Sequence, residues 1–157
     1  MTIWTNSHHL GKVATAFGSD RLGPEPAGDL GLFRKGCRVL VLENDPMLAD
    51  DLRRELDRKG VEVVGPAATV AEALDLLLTG LDPDFAILDV FLDDEVAYPV
   101  ADTLRGLGVP FIFAIHGLDW AIPHAYADVP RTEKPVTMRR LAQALMERAT
   151  VVEGQPL

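Results

Sequence analysis

Apolar residues along the first 36 positions follow neither a helical nor a strand period. Beyond Gly36 they gather into short runs separated by stretches with three- and four-residue spacing. Such runs alternating with helical periods mark repeated β-α units around a parallel sheet, whose strands are buried on both faces and so lack polar alternation. The first run predicts a strand from Val39 to Leu42. Asp45 then offers a side-chain cap, Pro46 suits a first helical position, Leu48, Leu52 and Leu56 repeat at four-residue spacing, and Gly60 ends the helix. A second strand is predicted from Val61 to Val64. Thr69 and Glu72 have capping-box spacing ahead of Ala73, Leu74, Leu77 and Leu78, which predicts a second helix. The third strand, from Phe85 to Leu88, ends at Asp89. Ala97, Val100, Ala101, Leu104 and Leu107 predict a third helix, and the run from Phe111 to Ile115 a fourth strand inside the sheet. Pro123 and Pro130 interrupt the next stretch, where a short fourth helix and a strand near Val129 to Thr132 are expected before a last helix carrying Leu141, Ala144 and Leu145.

The chain divides into an arm over residues 1–36, expected to be mobile, a domain over 37–150 and a short tail over 151–157. The arm's Gly, Pro and Ser content reads as a linker. Its Trp4, Phe17, Leu30, Leu32 and Phe33 are scattered, and His8 and His9 are too isolated for a metal site. Composition narrows the function. A net charge of -9 opposes binding to nucleic acid, which draws its affinity from clustered Lys and Arg. The single cysteine, Cys37, cannot form an internal disulfide, and together with the absence of a leader or a spanning apolar stretch this predicts a soluble, cytoplasmic protein with no membrane contact.

Five such units form an open, doubly wound α/β sheet, and in sheets of that kind the functional crevice lies beyond the carboxyl ends of the strands. The ends present Glu43, Asn44 and Asp45 after the first strand, Asp89 after the third, His116 after the fourth, and Lys134 with Pro135 after the fifth. Carboxylates gathered at one edge repel unless a hard cation sits between them, and Mg²⁺ takes a few oxygen ligands while keeping several waters. A nearby lysine would pair with the remaining negative charge.

Over Arg38 to Arg148 these residues resemble the receiver domain of response regulators. Arg38 to Pro46 is similar to the family's first strand and acidic pair, Ile87-Leu88-Asp89-Val90 to its phosphoacceptor strand, and Lys134-Pro135 to its lysine and commonly cis bond. The resemblance implies a flavodoxin-like, five-stranded parallel sheet of order 2-1-3-4-5, with Asp89 as phosphoacceptor. It implies Mg²⁺ held by Glu43, Asn44, Asp89 and the backbone carbonyl of Phe91, with Lys134 against the phosphoryl group. The implied donor is a histidine kinase or phosphotransfer protein. Pro110-Phe111-Ile112-Phe113-Ala114 further resembles the Pro-Phe-x-Phe-Ala-Thr-Gly signature of stand-alone receivers associated with bacterial stress signalling.

Four positions depart from that pattern. Ile115 and His116 stand where Thr and Gly are expected, which removes the hydroxyl that bonds the phosphoryl group. A hydrogen bond to a charged group contributes about 1.5 to 3 kcal/mol, comparable with a whole allosteric coupling of ~1 to 3 kcal/mol. His116 offers a replacement donor, against the plainer reading of a solvated loop histidine. Asn44 replaces an acidic ligand, so Mg²⁺ should bind weakly. Arg131 takes the place of the aromatic that turns inward in the family's switch.

Two readings within the fold stay open: a single-domain receiver phosphorylated on Asp89, and a pseudo-receiver that binds its partner without phosphorylation. No output domain is expected after the last helix, so either would act through surface contacts, and a homodimer is compatible with both. An enzyme is disfavoured. A haloacid-dehalogenase phosphatase needs an acid/base aspartate where Phe91 stands, and no Gly-x-Gly-x-x-Gly follows a strand. Trp120, Ile122 and Tyr126 fall where receivers present a partner surface, and Trp120 and Tyr126 are candidate anchors.

Overall fold

The computed structural model describes residues 33, 35–117 and 121–153, with side chains to 147. In chain order the elements are β1 (Arg38–Leu42), α1 (Pro46–Arg58), β2 (Glu62–Ala67), α2 (Val70–Leu78), β3 (Phe85–Asp89), α3 (Tyr98–Leu107), β4 (Phe111–Ile115), a 3₁₀ turn (His124–Tyr126), β5 (Arg131–Glu133) and α4 (Met138–Glu153). The strands form one parallel sheet of order β2-β1-β3-β4-β5, as expected, with β3 at the centre.

Successive strand residues point to opposite faces, so one sheet serves two cores. On one face Leu40, Leu42, Ala86, Leu88, Phe111, Phe113 and Ile115 pack under α2 and α3. On the other Val39, Val41, Phe85, Ile87, Ile112 and Ala114 pack under α1 and α4. Burial on both sides is why β3 and β4 are continuous apolar runs.

Several boundaries and burials differ from the sequence expectation. β2 continues past Val64 through a cis Gly65-Pro66 bond to Ala67, with a register shift between Leu40 and Leu42. It is an edge strand, where a proline interrupts no inner ladder. Leu78, assigned to the apolar stripe of α2, is 83% exposed, and Leu107 of α3 is also exposed; each is the last residue of its helix. The short helix expected after β4 is a single 3₁₀ turn among the described residues, and the last strand begins at Arg131 rather than Val129. Phe33, assigned to the arm, is buried with its ring centroid 5.6 Å from that of Phe85. The other arm residues named above lie outside the described residues. No described helix is long and apolar enough to cross a membrane.

Candidate functional site at the strand ends

The carboxyl ends of β1, β3 and β5 bring three charged side chains together. Asp89 is the last residue of β3 and only 3% exposed, and Glu43, one residue past β1, is 6% exposed. Asp89 follows Phe85 and Ile87 at two-residue spacing, so its side chain lies on the α1 and α4 face of the sheet. Lys134 enters from the end of β5, where its amide donates to the Ile115 carbonyl at 3.0 Å and the bond to Pro135 is cis. Its Nζ lies 2.6 Å from Asp89 Oδ2 and 2.9 Å from Glu43 Oε2. The first contact is an ion pair without good hydrogen-bond alignment, and Asp89 Oδ2 is buried with no well-aligned donor. The other Glu43 oxygen, Oε1, accepts from the Asp45 amide at 2.9 Å.

Burial is the dominant influence on Asp89 and lifts its pKa to about 6. The Lys134 ammonium and the Phe91 amide pull the other way, and Glu43 adds to the rise. Lys134 is raised above its ordinary value even though its own burial, the largest single influence, acts to lower it; its contacts with Asp89 and Glu43 together outweigh that. Two carboxylates therefore share one buried cation, and a charge left unpaired in such a place is costly.

The remaining predicted positions are distributed as follows. Asn44 is half-buried beside Glu43. Asp45 is spent on the cap of α1, accepting from the Met47 and Leu48 amides at 2.9 and 3.2 Å, so it is not turned toward Asp89. Phe91 is half-buried and pairs in an antiparallel bridge with Val96, which folds the loop after β3 back on itself. Glu95 in that loop accepts from the Val70 amide at 2.7 Å, anchoring the loop to the start of α2. Ile115 ends β4, is 7% exposed and packs among Ile122 and Tyr126 on the sheet face opposite Asp89. His116 is exposed, in keeping with a solvated histidine. Arg131 is half-buried on β5, opposite Phe113 in register.

Tyr126 does not stand on the surface as expected. It is 7% exposed, stacked on Tyr98 with centroids 4.7 Å apart and planes at 11°, and its hydroxyl donates to Asp102 Oδ1 at 2.7 Å. Burial, then the bond to Asp102, raises the pKa of that hydroxyl. Trp120 lies outside the described residues. Sequence reasoning missed this cluster, although Tyr98, Asp102 and Arg105 have the four- and three-residue spacing of one helix face.

No family model matches the chain. Among solved structures, the solution structure of SdrG from Sphingomonas melonis Fr1 superposes with a TM-score of 0.63 at 35% identity, over 74% of this chain and 99% of that one. The chain belongs to the response-regulator receiver family. The response regulator PhyR from Brucella abortus matches this receiver with a TM-score of 0.56 at 27% identity, over 75% of this chain and 49% of that one. The sensory transduction protein LytT of Bacillus anthracis is 30% identical over 112 residues, 69% of this receiver and 45% of LytT. The receiver spans less than half the length of the curated relatives it matches.

Proposed function

We propose that Asp89 accepts a phosphoryl group from a phosphohistidine on a histidine kinase or phosphotransfer protein, and that this receiver signals by protein contact. The carrying observation is the placement of Lys134, whose ammonium lies within 2.9 Å of both buried carboxylates at the strand ends. An Asp89 oxygen attacks phosphorus in line as the bond to the imidazole nitrogen breaks, and Lys134 balances the charge on the transferred oxygens. The names of the relatives, a response regulator and a sensory transduction protein, support the same reading.

The donors for Mg²⁺ are all oxygens: the carboxylates of Asp89 and Glu43, the side-chain oxygen of Asn44 and the Phe91 carbonyl. That set fits a hard cation which keeps several waters. The buried Asp89 carboxylate, whose Oδ2 meets Lys134 without a well-aligned hydrogen bond, would be the first ligand. No three His, Cys, Asp or Glu residues converge among the described residues, so the set carries little charge and the affinity is expected to be low. When bound, the ion would neutralise charge on the phosphoryl oxygens. The protein is proposed to act in the cytoplasm, independently of nucleic acid and membrane. A homodimer is compatible with this action.

The buried, apolar Ile115 favours a second reading, a receiver that binds its partner without phosphorylation. Beryllofluoride, which occupies an acceptor aspartate as a phosphoryl mimic, separates the two. Magnesium-dependent chemical-shift changes around Asp89 that vanish in Asp89→Asn support the acceptor. Their absence at millimolar ligand supports the constitutive module.

A further inference from the structure

On the sheet face opposite Asp89, a second cluster joins α3 to the connection between β4 and β5. The Arg105 guanidinium lies 4.9 Å from the Tyr126 ring centroid, donates to the Ala125 carbonyl at 3.1 Å and pairs with Asp128 Oδ1 at 2.8 Å. Tyr126 donates to Asp102 at 2.7 Å and stacks on Tyr98, and both rings meet Phe113 of β4 edge-on. Three side chains on one face of α3 thus grip a 3₁₀ turn from the ring, hydroxyl and backbone sides.

We propose that Tyr98, Tyr126, Asp102 and Arg105 form a lock that fixes the stretch from Pro123 to Val129 on α3, so that this stretch keeps one conformation whatever the state of Asp89. The second half of this statement rests on the reading of Asp89 as a phosphoacceptor. Ile115, at the end of β4, has no side-chain polar atom with which to follow a phosphoryl group, and it packs in the same apolar cluster as Tyr126. Phe113, which lies opposite Arg131 in register, is already covered by both tyrosine rings. Moving the stretch from Pro123 to Val129 requires breaking a charged hydrogen bond, an ion pair and an aromatic stack together, and discrete packing of this kind switches as a unit or stays put.

Amide hydrogen exchange on the full chain tests the lock. Three amides in the connection report it directly: Tyr126 bonded to the Pro123 carbonyl, Ala127 to His124 and Val129 to Tyr126. The variant is Asp102→Ala with Arg105→Gln; Asp102 is exposed and Arg105 half-buried, and neither belongs to the apolar core, so the sheet should stay intact. In the variant the three amides should exchange ~10-fold faster or more, with β3 amides unchanged. In wild type, beryllofluoride with Mg²⁺ should slow exchange at the end of β3 and leave the three amides at their original rates. Wild-type rates in the variant would overturn the lock, and so would a clear response of the three amides to beryllofluoride in wild type. If beryllofluoride leaves the β3 amides of wild type unaffected, the acceptor reading falls, and the variant's rates alone decide the lock.

Discussion

Lys134 Nζ lies 2.6 Å from Asp89 Oδ2, and the same ammonium holds Glu43 at 2.9 Å, so one cation balances two buried carboxylates. Removing it leaves both acids facing each other out of water. Lys134→Met should lower stability by about 3 to 5 kcal/mol in urea unfolding at neutral pH without metal, because breaking a buried pair strands its partner. Adding Asp89→Asn to that variant should recover part of the loss. A cost well under 1 kcal/mol would mean that the pair is solvated or absent in solution.

Burial raises Asp89 to about 6 from an ordinary 3.8. The folded protein therefore binds this proton more tightly than the unfolded chain does. Stability associated with the protonated acid is present below about pH 4 and is lost as pH rises to about 6, amounting to about 3 kcal/mol at most. Asp89→Asn lacks that loss. Its stability advantage over wild type should grow between pH 4 and 7 in the presence of a chelator, as followed by urea midpoints at several pH values. A flat difference would place Asp89 at an ordinary carboxylate pKa.

Ile115→Thr restores a hydroxyl at the end of β4. With nothing to bond in the resting protein, the buried hydroxyl should cost about 1 to 3 kcal/mol of stability. If the strand end turns so that this hydroxyl meets the group on Asp89, it gains a charged partner, and affinity for beryllofluoride should rise ~10-fold or more. Titration followed by nuclear magnetic resonance checks both forms. Unchanged affinity would mean that the hydroxyl cannot reach the group on Asp89.

Glu95 ties the loop after β3 to α2 through the Val70 amide. Glu95→Gln should weaken a charge-assisted cap and cost ~1 kcal/mol. The Val70 amide should exchange several-fold faster, while the amides of β1 remain as they are.

The sheet was legible because its strands are apolar on both faces, and Asp89 was legible because an acid directly follows such a run. Strand β5 was harder. Arg131, Thr132 and Glu133 carry no apolar period, and only their pairing with β4 makes them a strand. β2 was cut short at Gly65-Pro66, a break that an edge strand tolerates. Tyr126 was misplaced because its burial comes from Tyr98, Asp102 and Arg105, more than twenty residues earlier, and no local pattern carries that information. Phe33 was lost among the scattered apolar residues of the arm for the same reason, since its partner Phe85 lies far along the chain.

The central claim is that Asp89 is a working phosphoacceptor despite Asn44 and Ile115. Intact-mass analysis of wild type and Asp89→Asn, incubated with acetyl phosphate and Mg²⁺, tests it most directly. A working acceptor gives one added phosphoryl group on wild type, none on the variant and none on wild type when a chelator replaces Mg²⁺. An unmodified wild type under conditions that label an ordinary receiver, or equal labelling of the two proteins, would contradict it.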